Sequence, residues 1–240
     1  MGLAEITRNI LLSQLHPALL SDVAPLLQAV DLLNGDLLHS PNTPITHAYF
    51  PLSGISSVIA RSATNIQSEV GIIGREGFTG TSLALAAETS PMEVVVQSPG
   101  RALRLDARMF SRLLDDIPAF RDVALRFIQA FMIQAAQTTV ANTQYRLSQR
   151  LARWLLMCQD RSDSPGIPMT HEFLSTMLSV RRPGVTDALN ELEGLHLVKN
   201  ARGLVTVVDR PGLIDVAGGS YGVAEREYNR LFPQGPIAGG

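Results

Sequence analysis

Cysteine is almost missing from this chain of 240 residues: Cys158 is the only one. One thiol forms no internal disulfide and cannot build a four-cysteine zinc or iron–sulfur site. Histidine offers no substitute, because His16, His39, His47, His171 and His196 do not pair at metal-ligand spacing. Neither a metal nor a cofactor is therefore expected. Apolar runs are short, below the roughly 18 residues that read as a spanning helix. The first residues, MGLAEITRNILLSQL, lack the basic start, unbroken apolar stretch and small-residue cleavage site of an export signal. These absences suit a cytoplasmic protein. No P-loop and no Ser/His/Asp set stands out, and Glu69 and Glu76, which flank a glycine turn, are expected to face water. An enzyme is not expected.

Charged residues are also few, 18%, against 45% hydrophobic residues, which excludes a disordered chain and allows one large or two modest domains with real cores. The net charge of −2 argues at first sight against a nucleic-acid partner. It hides a gradient. Residues 1–118 carry seven arginines against eleven acids, and residues 146–202 carry eight basic residues against six acids. The positive end of that gradient suits DNA.

Leu11, Leu12, Leu15, Leu19 and Leu20 predict short helices at the start, broken by Pro17 and Pro25. From 31 to 105 the pattern becomes many short runs rich in Val, Ile and aromatics. Glycine and proline turns punctuate them, as in an antiparallel barrel or roll. A long helix follows Pro118. In it Phe120, Ala124, Phe127, Phe131, Gln134, Thr138 and Ala141 recur at 4-3-4-3-4-3 spacing. That seam reads as a dimer interface, with packing on the chain's own core as the alternative. The next helix aligns Leu147, Leu151, Trp154, Leu155 and Cys158, so Trp154 and Cys158 are expected in a core. The Gly- and Pro-rich end, 217–240, is expected to finish in a disordered tip.

The segment with the most function in it is MTHEFLSTMLSVRRPGVTDALNELEGLHLVKNARGLVTVV, residues 169–208. Thr170 is a good N-cap. Ser179, Val180 and Arg181 can turn the chain, and Pro183 suits the first turn of a second helix. Val185, Ala188, Leu189 and Leu192 bury that helix at i, i+3, i+4, i+7 spacing. Two short helices so joined, followed by a basic hairpin through Lys199 and Arg202, make a winged helix-turn-helix. The second helix then presents Arg181, Arg182, Pro183, Thr186 and Asp187 to base edges. Thr170 and His171 open the first helix towards a phosphate, and Lys199 and Arg202 reach further phosphates.

With these motifs in place the chain resembles the Crp/Fnr superfamily over about residues 10–215. The resemblance implies an α+β architecture: an antiparallel β-roll of cyclic-nucleotide-binding type (1–117), a long dimerisation helix (118–144), a winged helix-turn-helix domain (145–216) and a tail (217–240). LSVRRPGVTDALNELEGLHLV is similar to the family's recognition helix, with Arg182 at its guanine-reading arginine. Pro183 stands where the best-known members have a glutamate, and Asp187 where they have a second arginine, so their operator does not transfer. GIIGREGFTGTSLAL resembles the family's nucleotide pocket, which implies Gly71, Gly77, Phe78, Gly80 and Thr81 as pocket residues. Read on their own, these glycines are first of all turn makers. In cAMP-binding members a glutamate follows the glycine and an Arg-Ser pair holds the phosphate. Here Thr81 follows Gly80, and Thr89-Ser90-Pro91-Met92 holds no arginine. A buried phosphate would lack its counter-charge, so cAMP is not expected.

The expectation is a homodimeric transcription regulator on a pseudo-palindromic site. Its partners are duplex DNA and a second copy of the chain, with RNA polymerase and an unidentified small-molecule effector as further candidates, and no membrane. The competing reading is a sensor or scaffold whose helix-turn-helix docks protein instead of DNA.

Overall fold

The computed structural model describes residues 2–162 and 164–237. Two short helices, α1 (Leu3–Ile6) and α2 (Pro17–Val23), lead into strands β1 (Gln28–Leu32), β2 (Leu37–His39), β3 (His47–Pro51), β4 (Ile55–Arg61) and β5 (Gln67–Ile73). A one-turn helix, α3 (Thr81–Ala84), precedes β6 (Glu93–Ser98) and β7 (Gly100–Asp106). The strands pair antiparallel in two sheets, of order β1-β7-β3 and β2-β6-β4-β5. In β3 the alternation of the strand turns Ala48 and Phe50 inward, where both are fully buried. Asp106 then caps α4 (Ala107–Asp116), its carboxylate accepting from the N–H groups of Arg108 and Met109. Pro118 opens α5 (Pro118–Gln144), where its missing N–H costs nothing.

The roll has an aromatic core: the rings of Phe50, Phe78, Phe110, Phe120 and Phe127 lie in one cluster, neighbouring centroids 5.3–6.3 Å apart. Two of these rings come from α5, and this corrects the expected dimer seam. Phe120, Ala124, Phe127 and Gln134 are buried by the chain's own roll, with Phe131 half-buried beside them. Gly71 and Gly77 make the close approach possible. A Cβ on Gly77 would stand 2.0 Å from the Phe127 ring, and one on Gly71 would stand 2.7 Å from Gln134 Oε1. Gln134 itself accepts from the Ile72 N–H at 2.7 Å and donates to the Ile72 carbonyl at 3.2 Å. Its amide so satisfies the edge strand β5 much as a neighbouring strand would.

After α6 (Leu147–Arg161) come β8 (Gly166–Pro168), α7 (His171–Met177), α8 (Arg182–Gly194), β9 (Val198–Ala201), β10 (Leu204–Val207) and α9 (Arg210–Ala217), with a small antiparallel sheet of order β8-β10-β9. Leu151, Trp154, Leu155 and Cys158 of α6 are buried, in one cluster with Ile55, Ile59 and Ile72 of the roll. The helix is therefore the joint between roll and C-terminal domain. The chain then returns. A last helix, α10 (Val223–Leu231), packs on α5, and the Tyr228 hydroxyl donates to the Glu76 carbonyl at 2.8 Å. The tail expected beyond 217 thus holds a helix, because its apolar face finds a seat; of the tip expected to be disordered, residues 238–240 lie outside the described residues. Among the described residues no helix is long and apolar enough to cross a membrane.

Glu69 and Glu76 do not face water as expected. Both are buried at this joint. Glu76 pairs with Arg161 at 2.7 Å, and its carboxylate also accepts from the Gly74 N–H. Glu69 accepts from Ser57 Oγ at 2.6 Å and from Trp154 Nε1 at 2.7 Å, tying β4 and β5 to α6. Burial pushes the Glu69 carboxyl up to about 7 from 4.5, against the opposing pull of these two donors and of Arg153 and Arg161. Between those values the folded chain holds a proton that the unfolded chain has released, so stability should fall as pH rises through this window and level off above it. Glu69→Gln should remove that slope, which amounts to about 3 kcal/mol. Urea unfolding of both proteins at pH 5, 6, 7 and 8 measures it, and parallel curves for the two would refute the assignment.

Candidate nucleic-acid interface

Thr170 caps α7, its hydroxyl accepting from the Phe173 N–H at 3.1 Å. Leu174 and Met177 bury the inner face of that helix. Ser179 then takes a positive φ of 50°, and the Val180 N–H bonds the Ser175 carbonyl at 2.9 Å. This left-handed residue is what makes the turn tight enough for the next helix to begin at Arg182. Arg181 is the N-cap and Pro183 sits in the first turn. Val185, Ala188, Leu189 and Leu192 are buried against the neighbouring helices, as their spacing predicts. His171 Nδ1 lies 3.1 Å from Thr186 Oγ1, so the start of α7 is tied directly to α8.

The outward face is polar and charged. Arg181, Arg182, Pro183 and Asp187 are exposed at the start of α8, and Thr186 is half-buried beside them. Arg202 and Gly203 form the turn of the β9–β10 hairpin, with Gly203 at φ +75°. Thr170, His171, Arg182 and Arg202 line one open groove between the two helices and the hairpin, together with Asn200 and Ala201. Lys199 is exposed on the same hairpin and does not line that groove. Among the described residues no acid forms an ion pair with Arg181, Arg182, Lys199 or Arg202. Asn190 extends this face beyond the residues that the sequence pattern singles out. It is exposed one turn beyond Thr186 and Asp187, and continuing the helical period from Arg182 would have found it.

The residues expected to form a ligand pocket in the roll divide. Gly80 and Thr81 line a cavity of about 310 Å³, together with His39, Ser82 and Ser90. Gly71 and Gly77 are seats for α5, and Phe78 is in the aromatic core. The correction has one cause: the phenylalanines of α5 occupy the space that those three positions would have opened.

Residues 149–216 match the Crp-like helix-turn-helix domain. No curated protein sequence matches the chain. Among solved structures it is similar to FixK2 from Bradyrhizobium japonicum, at 9% identity and a TM-score of 0.69, covering 80% of this chain and 98% of that one. It is similar to a transcriptional regulator of the Crp/Fnr family from Eubacterium rectale, at 16% identity and a TM-score of 0.66, covering 86% and 97%. It is also similar to a Crp-family transcriptional regulator from Thermus thermophilus, at 17% identity and a TM-score of 0.66, covering 79% and 97%. The chain thus carries a Crp-like helix-turn-helix domain over residues 149–216 and shares its fold with these three structures.

Proposed function

We propose that the protein acts as a homodimer that reads a pseudo-palindromic DNA site through the first turns of α8 and does so without cAMP. The observation that carries the DNA reading is the open groove in which Arg182 of the helix and Arg202 of the wing lie together. An arginine at a helix start can grip guanine O6 and N7 with two hydrogen bonds, and one on the wing can hold a phosphate.

The dimer rests on a stripe of α5 that the roll leaves uncovered. Leu125, Gln129, Met132, Ala136, Thr139 and Thr143 are all exposed and recur at 4-3-4-3-4 spacing, with Val140 beside them. The stripe carries no charge, and Leu125, Met132 and Val140 are 41%, 59% and 43% exposed. Such a seam suits a second copy of the same helix. It lies about one residue further round α5 than the seam first read from the phenylalanines.

Independence from cAMP is supported by the wall of the roll cavity, which contains no arginine or lysine. A buried cyclic phosphate there would have no counter-charge.

The test is binding to random-sequence duplex DNA at several salt concentrations. Affinity should fall linearly on a log–log plot as phosphate contacts release counterions. Absence of any salt-dependent binding would favour a scaffold whose helix-turn-helix docks protein.

A further inference from the structure

The cavity between the roll and the middle of α5 has a chemistry of its own. Val58, Val70, Ile73 and Val94 form its wall on the sheet side, and Ile128 and Phe131 form it on the helix side. Its polar side chains are those of His39, Thr81, Ser82 and Ser90, and no acid, lysine or arginine lines it. His39 carries no charge near neutrality. Burial, with His47 nearby, holds its imidazole down at about 4, and its Nε2 lies 2.9 Å from Thr79 Oγ1. An anion entering here would surrender its hydration and meet no cation, a loss of several kcal/mol in an apolar site. An apolar body would instead exchange water for close contact with aliphatic and aromatic walls.

We propose that this cavity binds a small, uncharged, hydrophobic molecule with a single hydrogen-bonding head group. At the packing density of a protein interior, about 310 Å³ holds roughly a dozen non-hydrogen atoms. The head group meets the polar side chains of Thr81, Ser82, Ser90 and His39, and the body runs along α5. Met132 gives the site a consequence. It lines the cavity and also belongs to the exposed stripe of α5, so the bound molecule touches a side chain that the partner helix would touch as well. That last step rests on the proposed dimer, whereas the binding itself does not.

The experiment uses the full-length protein without DNA, so a failure here is separate from a failure of DNA reading. Calorimetric titrations at pH 7.5 compare 1-nonanol, nonanoate and cAMP. The two nine-carbon probes share a chain and differ in the charge of the head. 1-Nonanol should bind saturably and at least about tenfold more tightly than nonanoate or cAMP. Ala135→Phe, which fills the cavity from α5, should weaken 1-nonanol by about tenfold or more while thermal unfolding stays cooperative. Should that variant fail to fold, Val70→Phe fills the same space from β5, and the alcohol-to-carboxylate ratio on the unmodified protein needs no variant at all. No saturable heat with 1-nonanol, nonanoate or cAMP binding as tightly as the alcohol, or a folded filled variant that binds 1-nonanol undiminished would each overturn the proposal.

Discussion

Leu125→Glu combined with Met132→Glu should convert the proposed dimer to a folded monomer of 26.0 kDa. Both side chains lie on the uncovered stripe of α5, 41% and 59% exposed within one chain, so neither belongs to the buried core of the roll. Burying each against a partner is worth roughly 1.5–3 kcal/mol, and a symmetric seam contains every residue twice. Four carboxylates facing one another across the seam would add repulsion to that loss. Operator binding should weaken sharply, because the two half-sites would no longer be engaged by one linked pair. Phe127→Asp should behave differently. Phe127 is 2% exposed and lies on Gly77 and against Phe78, so a carboxylate there destabilises the roll itself, by roughly 3–5 kcal/mol or more. Light scattering and thermal unfolding of both variants separate the cases. A stable monomer from Phe127→Asp, with an intact dimer from the double glutamate variant, would return the seam to the phenylalanines.

The two seams show where sequence reading runs out. α5 is apolar on more than one face. Its spacing shows that faces exist, but not which partner each one meets. The roll took the large rings because Gly71 and Gly77 let them approach, and nothing local to either glycine announces a helix some 50–60 residues further on. The burial of Glu69 and Glu76 is hidden in the sequence for the same reason. A carboxylate beside a glycine turn resembles a solvated one until Trp154 and Arg161 arrive, each 85 residues away along the chain. The glycines of the tail concealed a helix whose partners, Arg126 and Glu76, are equally remote. The winged helix-turn-helix was legible because its determinants are local. The Thr170 cap, the turn before Arg182, the buried spacing of Val185 to Leu192 and the Arg202–Gly203 hairpin all fall within 40 residues. The basic groove followed from placing those elements together.

In the proposed complex Arg182 reads a base while Arg202 holds the backbone. Selection of bound sequences from random duplexes, followed by salt titration on each variant, tests it directly. Losing a two-pronged contact to guanine costs roughly 1–3 kcal/mol per half-site, and the loss is confined to one base position. Arg182→Ala should therefore accept any base at that position in each half-site and keep the preferences elsewhere. A phosphate contact carries no sequence information. Arg202→Ala should weaken all duplexes alike and lower the slope of log K against log salt by about 2 for the dimer. Arg182→Ala retaining the unmodified protein's preference at every position would contradict the account, and α8 would not be the reading helix.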